Sequence, residues 1–156
     1  MKLGDTIIAS QLAGDFTLPR NRKTKLAFII GGIGVTPFRS MVKYLLDKKE
    51  MRPIVIFYSN KIEPDIVYKE IFDEAERQLG IKTIYTLTDI QLVPLDWNEG
   101  KGYISEKMIM EAMPDYKERM FYISGPHGMV VDFKKILKEI NVKNSRIRTD
   151  FFPGLV

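Results

Sequence analysis

The chain has 156 residues, of which 45% are apolar and 28% charged, an ordinary globular mixture large enough for one hydrophobic core. It contains no cysteine and a single histidine, His127, which excludes disulfides, a thiolate nucleophile, a cysteine-ligated iron–sulfur cluster and a histidine-based zinc site within these residues. The formal net charge is +4, yet lysines and glutamates alternate without a basic block, so the charge reads as solvated surface and no nucleic-acid partner is expected. No apolar run approaches the ~18 residues of a membrane-spanning helix, and the first residues lack the apolar stretch of a signal peptide. The expectation is a soluble, cytoplasmic protein.

Residues 1–24 stand apart from the rest of the chain. Asp5–Ser10 alternates weakly and could be a strand, Gly14–Pro19 comes after it, and Arg20–Lys25 reads as a polar, basic linker. Leu26–Ile30 is then a short apolar run bounded by Gly31 and Gly32, the pattern of a buried strand. Thr36 as N-cap and Pro37 at the first helical position open a helix to about Lys49, with Phe38, Met41, Val42, Leu45 and Leu46 on its apolar face.

Pro53–Tyr58 predicts a second strand. Asp65–Leu79 predicts a helix, closed by Gly80. Lys82–Leu87 is a third strand, and Thr88–Lys101 a loop over which Trp97 packs, below that strand. Ser105 caps a short helix. Arg119–Ser124 is a fourth strand, Gly125-Pro126 leads into a helix to about Ile140, and Arg146–Thr149 is a fifth strand. Strand–helix alternation of this kind gives right-handed crossovers and a parallel sheet covered on both faces. The expected fold is therefore α/β and doubly wound, with five parallel strands in the order 3-2-1-4-5.

Ligands of such sheets sit at the carboxyl ends of the strands, where the order reverses. Strands 1 and 4 flank that point. The loop after strand 1, Gly31-Gly32-Ile33-Gly34-Val35-Thr36-Pro37, lets backbone approach a pyrophosphate at a helix N-terminus. It is neither GxGxxG nor a Walker loop, and the lesser alternative, on the loop alone, is a tight turn without a ligand. The loop after strand 4, Ser124-Gly125-Pro126-His127-Gly128-Met129, suggests a second approach of backbone to a flat ligand, or simply a helix start with Pro in its first turn.

Taken in order, GGIGVTP, FYSNK, YTLTD and SGPHGM resemble the nicotinamide-binding module of the ferredoxin–NADP reductase superfamily, in its flavodoxin or oxygenase reductase and cytochrome b5 reductase-like forms. The resemblance runs from about Leu26 to the end. GDFTLP is similar to the last strand of that superfamily's flavin module, whose Arg-x-Tyr-Ser type motif is absent. The implied organisation is a remnant of a flavin module plus linker over 1–24 and an NAD(P)H-binding domain over 25–156.

Residue by residue, the resemblance implies that Gly32, Gly34 and Thr36 line the pyrophosphate and nicotinamide side of the dinucleotide, with Pro37 fixing the loop. Gly125, Pro126 and Met129 would form the opposite wall. Ser124 would stand beside the reacting nicotinamide carbon, where many members have cysteine, and is the catalytic candidate. Ser59, Asn60, Lys61, Thr88 and Asp89 would surround the adenosine ribose. Lys61 argues for NADPH and Asp89 for NADH, and the YTLTD resemblance tips the balance to NADH. Asp150 and Phe152 would face the flavin ring.

The implied activity is hydride transfer from NADH or NADPH to FAD, then electron transfer to a carrier protein such as ferredoxin or flavodoxin. These residues supply only one side of that reaction, so this flavoprotein reductase is expected to be inactive alone. Its FAD-binding module would be supplied in cis or trans, and a homodimer could form through an exposed module interface bearing Phe16, Phe151 and Phe152. The alternatives are a non-catalytic nucleotide-binding or docking module, and an electron-transfer subunit completed by a separate flavin-bearing chain. Membrane segments upstream in a parent protein would place it on the cytoplasmic face of a membrane.

Overall fold

The computed structural model describes residues 6, 14 and 16–152. Among them, one parallel sheet runs through β1 (Leu26–Gly31), β2 (Ile54–Asn60), β3 (Lys82–Leu87), β4 (Gly100–Lys101), β5 (Met120–Pro126) and β6 (Ile147–Phe152), in the spatial order β4-β3-β2-β1-β5-β6. Five of these strands stand in the expected order; the sixth, β4, falls within the expected loop. It has two residues and no side-chain pattern of its own. Backbone pairing with Thr86 and Leu87 creates it, and the Trp97 Nε1–H, donating to the Gly100 carbonyl at 3.0 Å, pins it.

The helices α1 (Val35–Lys48) and α2 (Lys69–Leu79) cover one face, and α3 (Glu106–Ala112) and α4 (His127–Glu139) the other. The period-two alternation of β1 sorts its side chains between two cores. Leu26, Phe28 and Ile30 meet Phe38, Leu45 and Phe72 on the first face. Ala27 and Ile29 meet Phe57, Phe121, Ile123 and Phe133 on the second. Residues 26–30 are wholly buried, as a central parallel strand requires.

Two helix starts differ from expectation. Thr36 is not a cap: Gly32–Gly34 forms a 3-10 turn that runs straight into α1, so the chain is already helical when it reaches Thr36. Pro37 then falls within the first turn, where a missing N–H costs little. The second helix begins at Lys69, not Asp65. Pro64 closes a short 3-10 turn over Glu63–Asp65, Ile66 returns to extended backbone, and Tyr68 enters the left-handed region at φ 59° before α2 starts. Gly80, at φ 68°, ends α2 as expected, its N–H donating to the Ala75 and Glu76 carbonyls.

At the amino ends of the strands, Arg119 ties the sheet together. It donates to the carbonyls of Leu26 at 2.9 Å and Pro53 at 3.4 Å while pairing with Asp115 at 2.7 Å. Lys25 adds contacts to Asp115 at 2.9 Å and Glu118 at 2.7 Å. Burial alone would raise the Asp115 carboxyl, but the Arg119 and Lys25 cations outweigh it and hold that group below its ordinary range.

Residues 16–22 lie against this domain. Phe16, expected to be exposed, packs edge-on against Phe38 and Tyr122, with ring centres 5.6 and 5.1 Å apart. The Tyr122 hydroxyl donates to the Thr17 carbonyl at 2.7 Å, and Arg52 to that of Pro19 at 2.7 Å. Most of the expected strand Asp5–Ser10, and the side chains of Phe151 and Phe152, lie outside the described residues.

Candidate functional site

The carboxyl ends of β1, β2, β3 and β5 enclose a cleft of about 670 Å³. Its floor is backbone. Gly32 has φ 47° and open space where a Cβ would stand, so the chain there can lie directly against a ligand. Gly31 beside it is closed over by Met129: an added Cβ would meet the thioether sulfur at 2.3 Å. The turn Gly32–Gly34 coils straight into α1, the Val35 N–H donating back to the Gly32 and Ile33 carbonyls, so the partial positive charge of the helix begins at this floor.

One wall comes from β2 and the turn after it: Ser59, Asn60, Lys61, Pro64, Asp65 and Val67. The Thr88 N–H and hydroxyl both donate to the Asn60 carbonyl, at 2.9 and 3.3 Å, which binds the end of β3 to the end of β2. Pro126, Met129 and Phe133 form the facing wall, on α4 and its approach.

A side hollow opens on the Lys61 and Thr88 side of the cleft, lined by Lys61, Thr88, Asp89, Ile90, Gln91 and Tyr103. The Asp89 N–H donates to the Lys61 carbonyl at 3.0 Å, and its carboxylate accepts from the Gln91 N–H at 3.3 Å. Asp89 is thus held at a fixed place at the mouth. Tyr103 lines both the cleft and the hollow with 81% of its surface exposed.

Of the residues singled out from sequence, Gly32, Ser59, Asn60, Lys61, Thr88, Pro126 and Met129 meet in the cleft, and Asp89 joins at the side hollow. The others stand elsewhere. Gly34 and Gly125 are buried behind the cleft: a Cβ on Gly34 would lie 2.3 Å from the Ser124 carbonyl oxygen, and one on Gly125 2.7 Å from the Met129 methyl. Ser124 is wholly buried, because the alternation that sends Phe121 and Ile123 toward α4 sends Tyr122 and Ser124 toward α1. Its hydroxyl has no hydrogen-bond partner among the described residues.

Thr36 is exposed on the first turn of α1. Pro37 lines a separate groove with Leu18, Pro19, Met41 and Tyr44. Asp150 and Phe152 lie on β6, in register with Ser124 and Pro126. The structure adds Ile33, Pro64, Asp65, Val67, Tyr103 and Phe133, which the sequence did not single out. For Tyr103 a signal was present, an aromatic between Gly102 and the Ser105 cap. Among the described residues no group of acidic, histidine or cysteine side chains could hold a metal, and no helix is long and apolar enough to cross a membrane.

Comparison with known proteins identifies a family and relatives. The family model for the oxidoreductase NAD-binding domain matches residues 28–135. The chain is 28% identical over 152 residues to NADH-cytochrome b5 reductase 1 of Dictyostelium discoideum, covering 96% of this chain and 52% of that protein. It is 30% identical over 139 residues to NADH-cytochrome b5 reductase 1 of Candida glabrata, covering 86% and 48%. A flavohemoprotein of Oceanobacillus iheyensis is 25% identical over 158 residues, covering 99% and 38%. The chain thus spans about half or less of the length of these relatives. The FAD/NAD-binding domain of the Vibrio cholerae nitric oxide dioxygenase shares the fold, with a TM-score of 0.76 at 20% identity over 90% of this chain and 55% of that one. The Amycolatopsis cytochrome P450 reductase does so at 0.75 and 22%, over 90% and 42%.

Proposed function

The chain belongs to the oxidoreductase NAD-binding domain family, and we propose that it is the nicotinamide dinucleotide-binding half of a flavoprotein reductase, with NADH its preferred ligand. The observation that carries this reading is the cleft itself: bare Gly32 backbone before a helix N-terminus, at the point where the strand order reverses. The residues present fit a dinucleotide, since the open space at Gly32 gives a diphosphate room to lie against backbone.

In this reading Gly32 and the start of α1 hold the pyrophosphate, with Gly34 and Gly125 keeping the loops close enough together to shape the cleft. Thr36, exposed on the first turn of α1, and Pro37, in the separate groove, stand outside the cleft and are assigned to its nicotinamide end from the sequence resemblance alone. Pro126 and Met129 close the opposite wall. Ser59, Asn60, Lys61 and Thr88 surround the adenosine ribose, and the exposed Tyr103 ring offers a flat face to the adenine. Asp89, fixed at the hollow's mouth, accepts hydrogen bonds from a ribose diol and repels a 2′-phosphate. Lys61 lies on the same hollow, but one exposed cation does not reverse the preference set by a held carboxylate.

When bound, reduced nicotinamide supplies hydride to FAD carried by a flavin module in the same or a separate chain, and electrons pass on to a carrier protein such as ferredoxin or flavodoxin. This chain's own contribution is binding, orientation and exclusion of water. Ser124 is assigned to the nicotinamide end, where its buried hydroxyl has no hydrogen-bond partner among the described residues. Asp150 and Phe152 belong to the flavin side. Without that module the chain binds dinucleotide and does not turn over.

Calorimetric titration with NADH, NADPH and FAD tests the reading. Saturable NADH binding below millimolar concentration, NADPH about tenfold weaker (~1.4 kcal/mol) and no FAD binding are expected. Replacement Asp89→Asn should narrow the gap between the two dinucleotides. Failure of both to bind would move the chain to the non-catalytic docking alternative.

A further inference from the structure

Met129 closes one wall of the cleft in the dinucleotide reading, but that role does not use its sulfur. It lies in the first turn of α4, partly exposed, on the cleft wall. Its thioether lies over two α-carbons at once. A Cβ on Gly31 would stand 2.3 Å from its sulfur and 2.9 Å from its methyl, and a Cβ on Gly125 2.7 Å from that methyl. Gly31 ends β1 and Gly125 is the last residue but one of β5, the strands that flank the reversal of strand order, and backbone of Gly31 comes within 3.1 Å of where a Gly125 Cβ would stand. The end of the Met129 side chain thus covers both glycines, its sulfur over Gly31 and its methyl over Gly31 and Gly125, on a residue that lines the cleft.

We propose that Met129 is a site of reversible oxidation, and that its sulfoxide closes the cleft to dinucleotide. The proposal rests on the dinucleotide reading above. The oxidant is hydrogen peroxide, which is small enough to enter the cleft. The sulfur lone pair attacks one peroxide oxygen, an S–O bond forms as the O–O bond breaks, and the second oxygen leaves as hydroxide, which takes the proton of the first to become water. Sulfur is oxidised by two electrons and peroxide reduced by two.

The product is a polar, stiffer side chain with a strong acceptor oxygen. Toward the glycines it has no room without parting β1 and β5. Toward the cleft, it sets partial negative charge where a pyrophosphate would lie and opposes the positive end of α1. Either placement disfavours an anionic ligand. Other methionines supply controls: Met51 is 70% exposed and Met110 38%, both away from the cleft, while Met113 is wholly buried.

The test treats the whole chain with hydrogen peroxide, with and without NADH. Mass spectrometry then tracks Met51, Met110, Met113 and Met129, and NADH affinity is measured after peroxide is removed. Met129 sulfoxide should form in the free chain, and bound NADH should slow it without slowing Met51. Affinity should fall about tenfold or more in step with Met129, with the circular dichroism unchanged, and return after treatment with methionine sulfoxide reductases. A chain carrying Met51→Leu and Met110→Leu should lose affinity in the same way. Met129 remaining a thioether while Met51 oxidises, or a Met129-oxidised chain that binds NADH as before, would overturn the proposal. Untreated chain that fails to bind NADH would instead overturn the dinucleotide reading itself, and this proposal with it.

Discussion

Replacing Gly34 by alanine isolates the packing that shapes the cleft. Gly34 has φ −61° and ψ −2°, ordinary helical values, so alanine meets no backbone conformational penalty. Space is the obstacle. The new Cβ would stand 2.3 Å from the Ser124 carbonyl oxygen, 2.4 Å from its carbon and 2.5 Å from the Gly125 nitrogen. All three are backbone atoms of the central strand β5 and cannot rotate away, so the turn before α1 must lift by about an ångström to reach ordinary contact. Overpacking of this kind costs about 2–3 kcal/mol, offset by about 0.5–1 kcal/mol because alanine restricts the unfolded chain. The net loss is about 2 kcal/mol, a fall of roughly 4–8 °C in Tm for a domain of this size.

Thermal and denaturant unfolding monitored by circular dichroism measures it. Gly128→Ala serves as a counterpart: exposed within α4, with nothing within 4 Å of its Cβ, it should be neutral or stabilising by about 0.5 kcal/mol. A Gly34→Ala chain within about 0.5 kcal/mol of the parent would refute the reasoning.

Arg119→Ala removes the guanidinium that joins the starts of β1, β2 and β5 and leaves two carbonyls and Asp115 short of a donor; a loss of about 2–4 kcal/mol is expected in denaturant unfolding. Asp115 has a lowered pKa in the folded chain, so its pairing contributes stability above the unfolded carboxylate value, lost as pH falls through the lower folded one. Unfolding free energy should therefore decline below about pH 4, less steeply in Asp115→Asn. Lys25 has the opposite sign: its raised pKa adds stability that is lost only as pH rises through the raised folded value. Tyr103→Ala removes an exposed ring without opening the core, so NADH affinity should drop by about 1–2 kcal/mol while Tm stays put.

Much of the fold could be read from local pattern. Leu26–Ile30 between a polar linker and glycines announces the central strand, Gly80 ends α2, and Ser105 caps α3 with its hydroxyl accepting from the Met108 N–H. What escaped depended on contacts distant in sequence or on geometry before an apparent signal. The β4 strand exists only because β3 offers an edge. The α1 helix starts early because Gly32–Gly34 is already coiled, leaving Thr36 without a capping role. The second helix starts late because the turn over Pro64 and the left-handed Tyr68 intervene.

The site divides the same way. The two glycine loops were visible, but whether a residue faces the cleft or lies beneath it was not. Ser124 shows that a motif position and an accessible position differ, although the alternation of Phe121 to Ser124 carried that information. Tyr103 reaches the cleft through β4, so missing the strand meant missing the ring.

The most direct measurement is amide chemical-shift mapping by NMR on the isotope-labelled chain titrated with NADH. The account predicts saturable shifts at Gly32, Ser59, Lys61, Thr88, Tyr103 and Met129, with little change at the far end of α4 around Lys134, Lys135 and Lys138. Shifts gathered at those lysines, or none at all, would contradict it.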